Sequence, residues 1–133
     1  MSLPSFVGRA AVPLALACCI GCHVSQRGEI PGDYLARYGR NVDRLHLAKD
    51  GTFEQTILFQ ATGQRMSAKG TWSFDAQDAY VGLSSDFILA VDLYGRPLDR
   101  PRKGPKGEVS LSAYRILGSP RLGLNEDIDY QRR

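Results

Sequence analysis

Between Met66 and Phe74 the chain alternates with period two. Met66, Ala68, Gly70, Trp72 and Phe74 fall on one side, and Arg65, Ser67, Lys69, Thr71 and Ser73 on the other. Successive side chains of an extended strand point to opposite faces, so such a run predicts a strand with one face buried and one wet. A helix would scatter the same residues around its circumference. This stretch therefore commits the chain to an antiparallel sheet that needs a second apolar surface to cover it.

The flanking sequence repeats the pattern. Tyr34, Ala36 and Tyr38 share a face across Asp33–Tyr38, and Leu45 and Leu47 lie opposite Arg44 and His46. Asp50-Gly51 is a strong hairpin signal, because a tight turn demands a positive φ that glycine accepts. The return strand over 52–60 carries Phe53, Ile57 and Phe59 on one face, with Leu58 breaking the simple alternation. Thr62-Gly63 and the run 75–78 mark further turns. A short strand follows at Tyr80-Val81-Gly82-Leu83, and the apolar run 87–94 reads as a strand in preference to a helical turn because eight residues are short for a helix. Val109 to Tyr114 resumes the alternation, and 121–124 with 128–130 form a last hairpin across Asn125-Glu126-Asp127. About eight short strands joined by tight turns predict an all-β antiparallel meander closing into a small barrel or sandwich.

The cysteines lie apart from this pattern. Cys18, Cys19 and Cys22 fall within five residues, and none of the remaining chain carries another. A disulfide-stapled domain would spread them, so the domain must be held by packing. They sit in an uncharged run from Ala10 to Cys22 that follows Arg9. The run is too short to span a bilayer as a helix, which takes about 20 residues, but it suits a signal peptide. Leu14-Ala15-Leu16-Ala17-Cys18 is similar to a bacterial lipobox, with Cys22 as the alternative attachment point. The expected organisation is a signal peptide over 1–22, a polar tether over 23–31 and one β-domain over 32–133. The expected location is the cell envelope, anchored by an N-terminal lipid and facing the periplasm or exterior. Cys19-Ile20-Gly21-Cys22-His23 also matches the c-type haem attachment pattern. It overlaps the apolar leader, and the body reads as sheet without the helices that pack a porphyrin, so no cofactor is expected.

Gly32-Asp33-Tyr34, Leu45-x-Leu47-x-x-Asp50-Gly51-Thr52-Phe53 and Gly70-Thr71-Trp72-Ser73-Phe74 together resemble small lipocalin-like bacterial envelope lipoproteins. The resemblance covers roughly residues 32–83 and rests on turn glycines and core aromatics. It implies a lipocalin-like barrel and an envelope location. It departs from true lipocalins in placing Gly70-Thr71-Trp72 on about the fourth strand instead of the first.

The body holds no catalytic constellation. His46 alternates outward, where a surface or cross-strand role is expected, and His23 belongs to the tether. Asp75, Asp78 and Asp86 flank turns, where aspartate serves backbone geometry. Glu126, Asp127 and Asp129 lack the spacing of a calcium loop, so no metal is expected. Tyr34, Trp72 and Phe74 are candidate pocket or core residues. The stretch 95–107, with three prolines and three glycines, is expected to be a loop. Its Arg96, Arg100, Arg102, Lys103 and Lys106 face a single acid, Asp99, and are candidates for contact with an anionic surface. A net charge of +3 is too slight for a nucleic-acid partner. The functional expectation is a non-enzymatic envelope interaction module that meets the membrane through its lipid and an anionic envelope component or acidic protein through its loop. The alternative is a lipocalin-like carrier of a small apolar ligand.

Overall fold

The computed structural model describes residues 23–84, 86–91, 96–103, 109–124 and 128–133. The leader with Cys18 and Cys22 lies outside the described residues, as does Lys106.

The predicted meander closes into a barrel of eight antiparallel strands, arranged around it as the first, tenth, ninth, eighth, fifth, fourth, third and second along the chain. The strands are β1 (Gly32–Tyr38), β2 (Asn41–Leu47), β3 (Thr52–Phe59), β4 (Gln64–Asp75), β5 (Tyr80–Leu83), β8 (Val109–Ile116), β9 (Ser119–Gly123) and β10 (Asp129–Arg132). The remaining two, β6 (Ile88–Val91) and β7 (Pro97–Lys103), form a separate two-stranded ribbon. Pairing of β1 with β10 completes the cylinder and removes the free edges a flat sheet would expose.

Period two decides what fills the interior. Tyr34, Ala36, Leu45, Leu47, Phe53, Ile57, Trp72, Val81, Leu83, Leu111, Ala113, Leu122 and Tyr130 are all buried. Phe87 enters from the connection ahead of β6 and meets Phe53 and Tyr130 edge-on, with ring centroids 6.2 and 6.4 Å apart. Gly70 is small for a reason. A Cβ there would run into the Ser84 side chain and approach the Phe53 ring to 2.7 Å. Gly51 sits at φ +90° in the turn after Asp50, whose carboxylate accepts from the Thr52 amide at 3.0 Å and hydroxyl at 2.6 Å.

The barrel has two distinct ends. The near rim carries the 48–51, 76–79 and 117–118 turns, and the far rim carries the 39–40 and 60–63 turns. The segment 23–31, expected as a polar tether, is packed across the near rim. His23 bridges Tyr114, a 3-10 turn spans Arg27–Glu29, and Val24 and Ile30 are fully buried. Two apolar side chains are enough to hold it, since each contributes about 2 kcal/mol when removed from water. Glu29 adds an ion pair to Arg115, which holds its carboxyl below the usual range.

The stretch expected to be an irregular loop is a strand over 97–103. Ile88 pairs with Lys103 and Leu89 with Arg102, after which the register shifts before Val91 meets Pro97. Proline lacks an amide donor, but a strand in a two-stranded ribbon needs hydrogen bonds on one side alone. Pro97 opens the strand, and the register breaks next to Pro101. The ribbon covers the far rim, with Ile88 and Ala90 buried against Ile57, Tyr38, Phe59, Met66 and Ala68.

Candidate functional site

Of the candidate pocket residues, Tyr34 and Trp72 are core and Phe74 is half-buried against it. Each of the first two also fastens the near rim. The Tyr34 hydroxyl donates to the Ile30 carbonyl at 2.5 Å, and the Arg132 guanidinium lies 5.6 Å from the ring centroid. Burial raises the Tyr34 hydroxyl above its ordinary pKa. The Trp72 indole donates to the Ala48 carbonyl at 2.8 Å, and Arg27 stacks over its ring at 4.3 Å.

The group that sequence reasoning missed lies beneath the far-rim ribbon. Asp43 on β2 and Gln55 on β3 are each 1 % exposed and are the buried polar or charged residues among those described. Asp43 accepts from the Tyr130 hydroxyl at 2.6 Å, the Tyr38 hydroxyl at 2.9 Å and the Gln55 amide at 3.1 Å. Desolvation raises the Asp43 carboxyl to about 7, against the lowering effect of these three donors. Tyr130 and Tyr38 are pushed above their ordinary range, first by burial and then by Asp43. A carboxyl poised near neutrality suits proton transfer. Here, however, both oxygens are engaged by protein donors beneath the ribbon, so the carboxyl is closed in by the fold's own groups. The signal was available: Asp43 shares parity with Leu45 and Leu47, and Gln55 with Phe53 and Ile57.

His46 behaves as a cross-strand residue. Its Nδ1 lies 2.6 Å from Asp33 Oδ1, with both side chains largely exposed on the outer wall. Among the described residues no group of three His, Cys, Asp or Glu side chains could hold a metal ion. No helix there is long and apolar enough to cross a membrane.

The candidate anionic-contact residues divide among regions. Arg96 is exposed, and Arg100, Arg102 and Lys103 occupy β7 in the ribbon. The outer wall beside the ribbon adds cations that the sequence reading did not single out. In register across β1 to β4 runs the row Arg37, Val42, Leu58, Arg65, with Arg44 and Thr56 one pleat away. Val42, Arg44, Thr56, Leu58 and Arg65 line a cleft of about 250 Å³. Arg37, Arg44 and Arg65 are exposed, and Arg40 is exposed in the adjoining turn. None of the four guanidinium groups makes a hydrogen bond or ion pair with another described residue. The far rim thus combines a basic ribbon with uncompensated guanidinium groups, and Arg presents a fork of donors suited to carboxylate or phosphate.

No protein-family model, curated protein or solved structure matches this chain.

Proposed function

We propose that the chain is an exported, lipid-anchored and non-enzymatic interaction module of the cell envelope, with its far rim taking an anionic partner. The observation that carries this reading is the polarity of the barrel. The described chain begins at His23 on the near rim, whereas Arg37, Arg40, Arg65 and the ribbon bearing Arg100, Arg102 and Lys103 lie at the far rim. A lipid on Cys18, or on Cys22, would place the near rim against the membrane. A seven-residue strand is about 23 Å long, well over the screening length of about 8 Å at physiological salt. The basic rim would then address something other than the head groups beneath the anchor, and an acidic protein surface has the matching charge. The carrier alternative requires Phe87 and Ile88 to vacate the far rim, because the interior is filled by the chain's own side chains.

Two measurements test the two halves of the reading. Intact mass of the chain isolated from membranes should show a diacyl or triacyl increment on Cys18 or Cys22; an unmodified mass would remove the anchor. Binding to poly-L-glutamate should weaken with salt. Serine at Arg37, Arg44, Arg65, Arg100, Arg102 and Lys103 together should lower the affinity and flatten the salt dependence. An unchanged affinity and slope would reject the basic rim as the contact surface.

A further inference from the structure

The three exposed large apolar residues among those described are Tyr80, Ile116 and Leu117. All three stand at the near rim. Tyr80 begins β5, and Ile116 with Leu117 forms the tip of the β8–β9 hairpin. The hairpin overhangs the barrel. Its neighbour β5 ends its pairing at Tyr80↔Ser112, and β10 ends at Gln131↔Arg121. The last two rungs, Arg115↔Pro120 and Ile116↔Ser119, therefore pair with each other beyond the reach of the flanking strands. Ile116 lies four residues past Ser112, about 13 Å along the strand. This carries the tip beyond the 76–79 turn, which holds Asp78, and beyond Asp75 before it.

The tip residue is unusual in two respects. Leu117 is 103 % exposed and adopts φ +51°, in the left-handed region where glycine or asparagine is favoured. A leucine there gains nothing from the fold, since it touches no core. The cations nearest to it along the chain are already engaged: Arg115 with Glu29, and Arg121 with Asp129 at 4.0 Å. What the tip presents is an apolar point.

The end of the leader supplies the occupant. His23 pairs antiparallel with Tyr114, and the Val24 amide donates to the Ala113 carbonyl at 3.5 Å. The described chain thus begins at a rung two residues short of Ile116 on β8. Cys22 is the next residue back, and Cys18 is five back, at most about 18 Å of extended chain. We infer that the Ile116–Leu117 tip enters the lipid surface beside the acylated cysteine, with Tyr80 at the head-group level, as a second attachment that fixes the barrel's orientation. Two or three acyl chains hold the chain on the membrane but leave the barrel free to pivot about its N-terminus, so a second apolar contact on the same rim fixes its orientation. Tyrosine, apolar in its ring and polar at its hydroxyl, suits the interface.

This inference rests on the lipid-anchor reading, and the test separates the two. The full chain and its Leu117→Trp variant, isolated from the membranes of an expressing bacterium, are reconstituted into phosphatidylcholine vesicles with brominated acyl chains. Flotation reads the anchor; bromine quenching of indole emission reads the tip. Trp72, the one native tryptophan, is buried and serves as the internal reference. The added indole should lose emission and shift to the blue while Trp72 does not. The effect should persist in high salt, because the contact is apolar. Flotation with no more quenching in the variant than in the parent would overturn the tip contact and leave the anchor standing. Failure to float would overturn both. Position 117 touches no core, so a matching thermal midpoint for the variant is expected and checks its fold.

Discussion

Gln55 holds the backbone of Ile88 by both of its hydrogen-bonding groups. The Ile88 amide donates to Gln55 Oε1 at 2.8 Å, and Gln55 Nε2 donates to the Ile88 carbonyl at 3.1 Å. One side chain on β3 thereby reproduces a rung of sheet for a strand that belongs to the ribbon and not to the barrel. It fixes the ribbon's first residue to the interior. The same Nε2 also serves Asp43, so the far-rim cover and the buried carboxyl share a single amide.

Gln55→Ala would strand the Ile88 amide and carbonyl in an apolar interior and remove one donor from Asp43. Each buried polar group left unpaired costs about 1–3 kcal/mol, so the loss should fall at about 3 kcal/mol or more. Part of it should appear locally. Hydrogen exchange at Ile88 should accelerate more than at Leu45 or Leu111, and the 88–103 region should become the first site of proteolysis. Uniform acceleration across the barrel would show that the ribbon is not held through this residue.

Asp43 carries a pH dependence of unusual sign. Its pKa rises from about 4 in the unfolded chain to about 7 in the fold, so between those values the folded state binds more protons. Stability from this group is complete below about pH 4 and is lost as pH rises through about 7. The bound from a three-unit difference is about 4 kcal/mol. Denaturant unfolding at pH 5.5 and pH 8 should show greater stability at the lower pH. Asp43→Asn, neutral throughout, should flatten that slope. Removing the Tyr130 donor with Tyr130→Phe should instead move the transition toward higher pH, because that bond lowers the Asp43 pKa. A slope unchanged in Asp43→Asn would assign the effect elsewhere.

The barrel was legible because its signals are local. Alternation names the inward faces, and Asp50-Gly51 fixes a hairpin. Gly70-Thr71-Trp72 marks a strand whose glycine must clear Phe53. What escaped the sequence reading is non-local. Asp43 and Gln55 stood at inward positions by parity, yet a polar residue there announces nothing until Tyr130, 87 residues away, arrives across the barrel. Val24 and Ile30 fell within the segment expected as a polar tether, because the groove that receives them exists only after the strands close. The prolines of 95–107 pointed to a loop, although they bar a residue from donating and not from an outer strand. The unpaired guanidinium groups of Arg37, Arg44 and Arg65 come from three strands and become neighbours through register alone.

Arg27 and Trp72 provide the last test, at the near rim. The guanidinium stacks on the indole face at 4.3 Å and also donates through Nη1 to the Lys49 carbonyl at 3.3 Å. It thus ties the 3-10 turn of the entering segment to the β2–β3 turn and to β4. An exposed cation over an aromatic face contributes about 0.5–1 kcal/mol, and an exposed hydrogen bond adds at most about as much. Arg27→Ala should therefore cost about 1–2 kcal/mol, and Arg27→Lys should restore little of it, since an ammonium cannot stack as a plane. The single tryptophan makes the effect visible directly. With its cover gone, Trp72 should emit further to the red and become more accessible to iodide, while the hydrogen bond to the Ala48 carbonyl keeps the ring in place. An emission maximum identical to that of the parent would mean that the arginine does not shield the ring in solution, and that the other near-rim contacts close this end without it.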